Sequence, residues 1–139
     1  MARLSGLAVG DNKGFRVHLP NRESFSPDAA YYEGAPPDMR FYEGTPLFAA
    51  EVRSEGDYGA DAEEKMEAKR ADYFAAGTLV VWDVDLQGDE VIVRKYDAES
   101  GAQSPAAVFG RAEEADAEPA VPGWRMPVHD LFPPADGAI

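Results

Sequence analysis

Asp28, Glu51 and Lys69 have the residue types and the places along this 139-residue chain to do chemistry together. Glu51 stands in the run "PLFAAEVR", where the residues before it are apolar and the pattern is that of a buried strand. A buried carboxylate without a partner is costly enough that something must compensate it. Lys69 lies in "DAEEKMEAKRADYFAAG". Projected at about 100° per residue, this stretch puts Ala62, Met66, Tyr73 and Ala76 in one stripe with Lys69 in its middle. Lysine is seldom buried unless paired, so the ammonium is a candidate partner for Glu51. Lys65, at the edge of the stripe, can reach water along its own stem. Asp28 follows Pro27 at the start of the preceding strand, where it can sit at a sheet end beside Glu51. Two carboxylates and an ammonium around one point suit a hard cation with oxygen ligands, Mg²⁺ or Mn²⁺. The same residues admit a plainer reading: Glu51 as a buried ion pair with Arg53 or Lys69, Asp28 as a turn residue after proline, and Lys69 as a helix-edge lysine.

The elements that must position these groups follow from local pattern. "GFRVHL" at 14–19 alternates, "PDAAYYE" at 27–33 is compact and aromatic, and "PLFAAEVR" at 46–53 is apolar, which predicts three strands. The helix over 61–77 comes next, with Asp61 as its cap, Glu64 in capping-box register and Gly77 as its stop. "TLVVWDVD" at 78–85 reads as a strand buried on both faces, and "LQGDE" turns the chain into "VIVRKY" at 91–96 as an antiparallel partner. The acidic residues 113–118 read as a solvated loop. "VPGWRMPVHDLFPP" reads as a closing strand or turn that docks Trp124 and Phe132 on the sheet, with Trp82 in the core. His18 and His129 are single, lack the spacing of a ligand pair, and read as structural. Strands, one helix and more strands predict an α/β or α+β domain with a central sheet flanked by a helix.

Composition bounds the function from outside. The length suits a single domain over 1–139. Thirteen Lys and Arg against 26 Asp and Glu give a net charge of −13, whose mean field repels nucleic acid and anionic membrane alike, although a local cationic groove or a metal can reverse it. No cysteine means no disulfide and no thiolate zinc site, which suits a reducing compartment. With neither a secretory h-region at the start nor a run of apolar residues long enough to span a bilayer, the expectation is a soluble cytoplasmic protein.

The ordered set "PDAAYY", "AAEVRSEGD", "KRADYFAAG", "LVVWDVD" and "VPGWRMPVHDLF" resembles the bacterial restriction-endonuclease subfamily of the PD-(D/E)XK superfamily whose catalytic lysine has moved from the strand to the following helix. The resemblance covers about residues 14–132. It implies an α/β, restriction-endonuclease-like fold with a mixed central sheet and a flanking helix. By it, Asp28 is the Asp of the PD motif and Glu51 the acidic residue after the apolar strand. Arg53 stands where the EXK lysine would be, and Lys69 is the helix-borne lysine. It further implies that Asp28, Glu51 and the Val52 carbonyl hold Mg²⁺ or Mn²⁺, that Lys69 acts on the metal-bound water, and that Ser54, Asp57 and Lys65 line the site. Relatives of this kind also carry an N-terminal helical segment with a further Glu and a first strand, which this chain is expected to lack. Two functions follow as expectations. One is a Mg²⁺-dependent endonuclease with DNA as substrate; the other is a catalytically inactive nuclease-fold interaction or regulatory protein. A homodimer is expected to cover the sheet edges and apolar surface left by the missing segment.

Overall fold

A computed structural model describes residues 7–9, 14–34, 41–86 and 92–131 of the chain. Its backbone is a six-stranded mixed sheet, ordered β1-β4-β6-β7-β8-β9, made by β1 (Leu7–Val9), β4 (Ala29–Tyr32), β6 (Phe48–Val52), β7 (Val80–Asp85), β8 (Ile92–Asp97) and β9 (Ala107–Gly110). β6 and β7 run parallel and their other neighbours antiparallel. A parallel pair needs a crossover, and the helix α1 (Ala60–Ala76) supplies it. Two smaller sheets complete the fold: β3-β2-β5, from β2 (Gly14–Leu19), β3 (Arg22–Phe25) and β5 (Phe41–Glu43), and the hairpin of β10 (Glu114–Asp116) with β11 (Arg125–Pro127). The strands expected at 14–19, 27–33 and 46–53 are present as β2, β4 and β6, the last two shorter than expected, and β8 is the antiparallel partner of β7. β1, β3 and β5 were not expected, and "GFRVHL" belongs to the smaller sheet rather than the central one.

Because side chains alternate along a strand, β6 and β7 divide their residues between two cores. Phe48, Ala50, Val80, Trp82 and Val84 face the layer that contains Ala115, Ala117, Ala120, Val121 and Val128. Ala49 and Val81 face α1, where they pack with Tyr73, Val17 and Phe25. The alternation therefore brings Glu51, Asp83 and Asp85 onto the helix side, and it puts Glu51 and Asp83 in direct register on neighbouring strands.

Two expectations need correction. The helix is capped by Gly59, not Asp61: at φ 99° the chain turns into α1 without a side-chain cap, and the Glu63 N–H donates to the Gly59 carbonyl. Its other end is as expected, with Gly77 in the left-handed region at φ 114° and the Thr78 N–H donating to the Tyr73 carbonyl. The acidic segment 113–118 is not a solvated loop. Ala115 and Ala117 turn inward while Glu113, Glu114 and Glu118 stay exposed, and Asp116 accepts from Lys95 Nζ at 2.6 Å. Trp124 does dock on the sheet, stacked 5.3 Å from Trp82, whereas Phe132 lies outside the described residues. Phe74, next to Tyr73 on α1, also packs against the helix-side core. His18 and His129 are exposed, the latter beside Asp130. Among the described residues no helix is long and apolar enough to cross a membrane.

Candidate active site

The site forms where β6 ends. The Asp28 N–H donates to the Ala50 carbonyl at 3.0 Å, and the Asp28 carboxylate turns back to accept the Val52 N–H at 2.7 Å. Asp28 is thus tied to both sides of Glu51 through the backbone. Glu51 itself meets α1. Its Oε1 accepts from Lys69 Nζ at 3.0 Å and its Oε2 from the Tyr73 hydroxyl at 2.6 Å. Lys69 and Tyr73 are one helical turn apart, so a single face of α1 supplies both donors.

Burial pushes the Glu51 carboxyl above its ordinary 4.5, and the opposing pull of Lys69 and Tyr73 does not restore it, while the Asp28 charge pushes it further up. The side chains of Glu51 and Lys69 keep 28% and 30% of their surface open, so both can meet a ligand. Tyr73 is fully buried. Burial first, and then the Glu51 charge, drive its hydroxyl well above the ordinary tyrosine range, so it acts as a donor. Above these groups lies a cleft of about 480 Å³, lined among others by Val52, Asp57, Tyr58, Lys65 and Lys69.

The remaining expected residues divide. Arg53 is taken up by Asp83 and Glu63. Its Nε and Nη2 grip both oxygens of Asp83 at 2.8 Å each, and Nη1 and Nη2 reach Glu63 at 2.6 and 3.1 Å. This removes Arg53 as the partner of Glu51 and leaves Lys69. Ser54 and Asp57 close a turn on each other, with the Ser54 N–H and hydroxyl donating to Asp57 Oδ2 at 2.8 and 3.0 Å. Those bonds hold the Asp57 carboxyl below its ordinary value, and its charge is used at the rim. Lys65 is exposed on the cleft wall, and Val52 is exposed at its floor.

Sequence reasoning missed four groups. Tyr73 was placed on the correct face but read only as core. Asp83 and Asp85 stand in the apolar run "VVWDVD" and raise the question that Glu51 raised, so their signal was present. Arg70 is buried, with Nη1 at 3.7 Å from Asp83 and its guanidinium 3.9 Å over the Tyr96 ring.

Among the described residues no cluster of three or more His, Cys, Asp or Glu side chains could hold a metal ion. The donor set here is two carboxylates, Asp28 and Glu51, close enough for the charge of one to raise the pKa of the other. Two carboxylates suit Mg²⁺, which keeps several of its waters, better than Ca²⁺ or zinc, which ask for more protein ligands.

Comparison with known proteins agrees with this architecture. The family described as "Uma2: Putative restriction endonuclease" matches residues 2–129. The crystal structure of a putative nuclease belonging to DUF820 from Anabaena variabilis is similar at a TM-score of 0.63, with 16% sequence identity, over 91% of this chain and 68% of that one. No curated protein matches. Sheet order, crossover helix and family match together make the chain a member of the Uma2 family of restriction-endonuclease-like proteins.

Proposed function

We propose that the chain is a Mg²⁺- or Mn²⁺-dependent endonuclease that hydrolyses DNA, with Asp28 and Glu51 as metal ligands and Lys69 as the residue that acts on the attacking water. The observation that carries this reading is Glu51: a half-buried carboxylate held above its ordinary pKa although an ammonium and a phenol already donate to it. Such a group gains from further positive charge. In this reading Asp28 and Glu51 bind the cation, with the Val52 carbonyl as a further oxygen. A bound divalent ion supplies an acidified water and positive charge at the scissile phosphate. Tyr73 holds one oxygen of Glu51 so that the carboxylate keeps its orientation. Lys69, one third open to the cleft, donates to the water or to a phosphate oxygen and steers it in line. Asp57 and Lys65 form the rim.

A net charge of −13 favours the second reading, a nuclease-fold protein whose role is interaction or regulation, because phosphate contacts need Lys or Arg. Incubating plasmid and single-stranded DNA with the protein in Mg²⁺, Mn²⁺ or EDTA separates the two. The nuclease reading expects metal-dependent cleavage that Glu51→Gln and Lys69→Met each abolish. Absence of cleavage under every metal condition supports the second reading, and cleavage that persists in both variants counts against Glu51 and Lys69 as the acting residues.

A further inference from the structure

Tyr58 lies in the loop between β6 and α1 and keeps 40% of its surface exposed. An aromatic ring on a surface loop is ordinarily mobile or tucked away. This one is fixed at two points by buried charged groups. Its hydroxyl donates to Asp85 Oδ1 at 2.6 Å, and Asp85 sits buried at the end of β7. The guanidinium of Arg53, itself buried and clamped by Asp83 and Glu63, lies 5.3 Å from the ring centroid. The bond to Asp85 pushes the Tyr58 hydroxyl up to about 12, so it remains a donor at neutral pH. The fold thus holds a flat apolar surface rigidly at the mouth of the cleft that contains Glu51 and Lys69.

The charge balance says what that surface is for. Two cations of the cleft wall, Arg53 and Arg70, are turned to Asp83, and the chain as a whole is acidic. Phosphate contacts alone therefore give this cleft a weak hold on a polynucleotide. Stacking on an aromatic ring is insensitive to that repulsion, and every base has a face to offer. In a duplex those faces are already stacked on each other, so the platform is open only to an unpaired base. We propose that Tyr58 is the stacking platform for an unpaired base and that the substrate of this cleft is single-stranded DNA, or the unpaired part of a duplex. The proposal rests on the nuclease reading for its substrate class. It competes with a structural role in which the ring merely shields the Arg53–Asp83 bridge from water.

The test is fluorescence anisotropy with a labelled single-stranded oligonucleotide and its matched duplex. It is run in Ca²⁺, with the strand checked for integrity, on wild type, Tyr58→Ala, Tyr58→Leu and Tyr58→Trp. Leucine keeps the apolar cover and loses the aromatic face, and tryptophan keeps the face. The expected result is single-strand binding about tenfold tighter than duplex binding, lost about tenfold in the Ala and Leu variants and kept in the Trp variant. If Tyr58→Ala does not fold, the contrast between Leu and Trp decides. Wild-type affinity in Tyr58→Leu, equal affinity for duplex, or no binding of either oligonucleotide overturns the proposal. Melting temperatures with and without Mn²⁺, taken on the same variants, report the metal site separately. A Tyr58-dependent single-strand preference without a metal-induced shift supports the platform and overturns the metal site; an intact shift without that preference does the reverse.

Discussion

Glu51 and Asp83 are register partners on the parallel strands β6 and β7, both on the side covered by α1, yet their surroundings differ in kind. Asp83 has 5% of its side chain open and is gripped through both oxygens by Arg53, with Arg70 at 3.7 Å and Arg94 at 4.0 Å. Cations surround it. Glu51 is more open, meets one ammonium and one hydroxyl, and keeps a pKa above its ordinary value. The two carboxylates teach that position in the sheet does not decide a buried charge's role; the supply of counter-charge does. Asp83 is tied into the fold, whereas Glu51 is left short of positive charge at the edge of a cleft.

The largest expected effect breaks the saturated side. Asp83→Asn takes from buried Arg53 and Arg70 the buried carboxylate they share, leaving Arg53 only its half-exposed partner Glu63 among the acids that bond it here, and removing one partner of a buried pair costs about 3–5 kcal/mol. Urea melts should show that loss in Asp83→Asn and nothing comparable in Glu51→Gln. Equal losses in the two would remove the distinction.

A smaller effect sharpens the open side. Tyr73→Phe keeps the ring stacked 3.9 Å from Phe25 but withdraws the hydroxyl from Glu51, at a cost of about 1.5–3 kcal/mol for a hydrogen bond to a charged group. In the Glu51→Gln background the cost should shrink, and a double-mutant cycle reads that coupling. A cycle without coupling would mean that the phenol is not holding the carboxylate.

The smallest effect is the pH response, where the two regions should have opposite signs. Glu51 lies above its ordinary 4.5, mainly through burial, so its contribution to stability is fully present below about that pH and is lost as pH rises through the raised folded value. Glu63 is held below 4.5 by hydrogen bonds from Arg53, so its contribution is present above that pH and is lost as pH falls through the lowered folded value. Urea midpoints against pH should therefore lose slope above 4.5 in Glu51→Gln and below 4.5 in Glu63→Gln. The reverse assignment would contradict the electrostatics described for both.

The half-open site was the more legible of the two in the sequence. An apolar run interrupted by Glu51 and a helix with Lys69 at the centre of its apolar face are local patterns, and each demands a charge partner on energetic grounds. Gly77 marked the helix end for an equally local reason, its left-handed backbone. The Asp83 network was not read because its arginines come from the end of β6, from α1 and from β8, and only the folded sheet brings them together. β11 falls in the segment read as a closing strand or turn, but its partner β10 escaped notice because the inward residues of the acidic stretch are alanines, too small to mark a period among the glutamates. The N-cap was misassigned because a positive-φ glycine, rather than the nearby Asp61, turns the chain into the helix.

The most direct test is the melting behaviour of wild type and Glu51→Gln in EDTA and in millimolar Mn²⁺. If Glu51 is a carboxylate kept short of positive charge for a cation, the variant in EDTA is as stable as wild type or more so. Mn²⁺ then raises the melting temperature of wild type by mass action and leaves the variant unchanged. A Glu51→Gln protein strongly destabilised in EDTA, beside a wild type indifferent to Mn²⁺, would instead make Glu51 and Lys69 a structural ion pair and contradict the assignment of this cleft as a metal site.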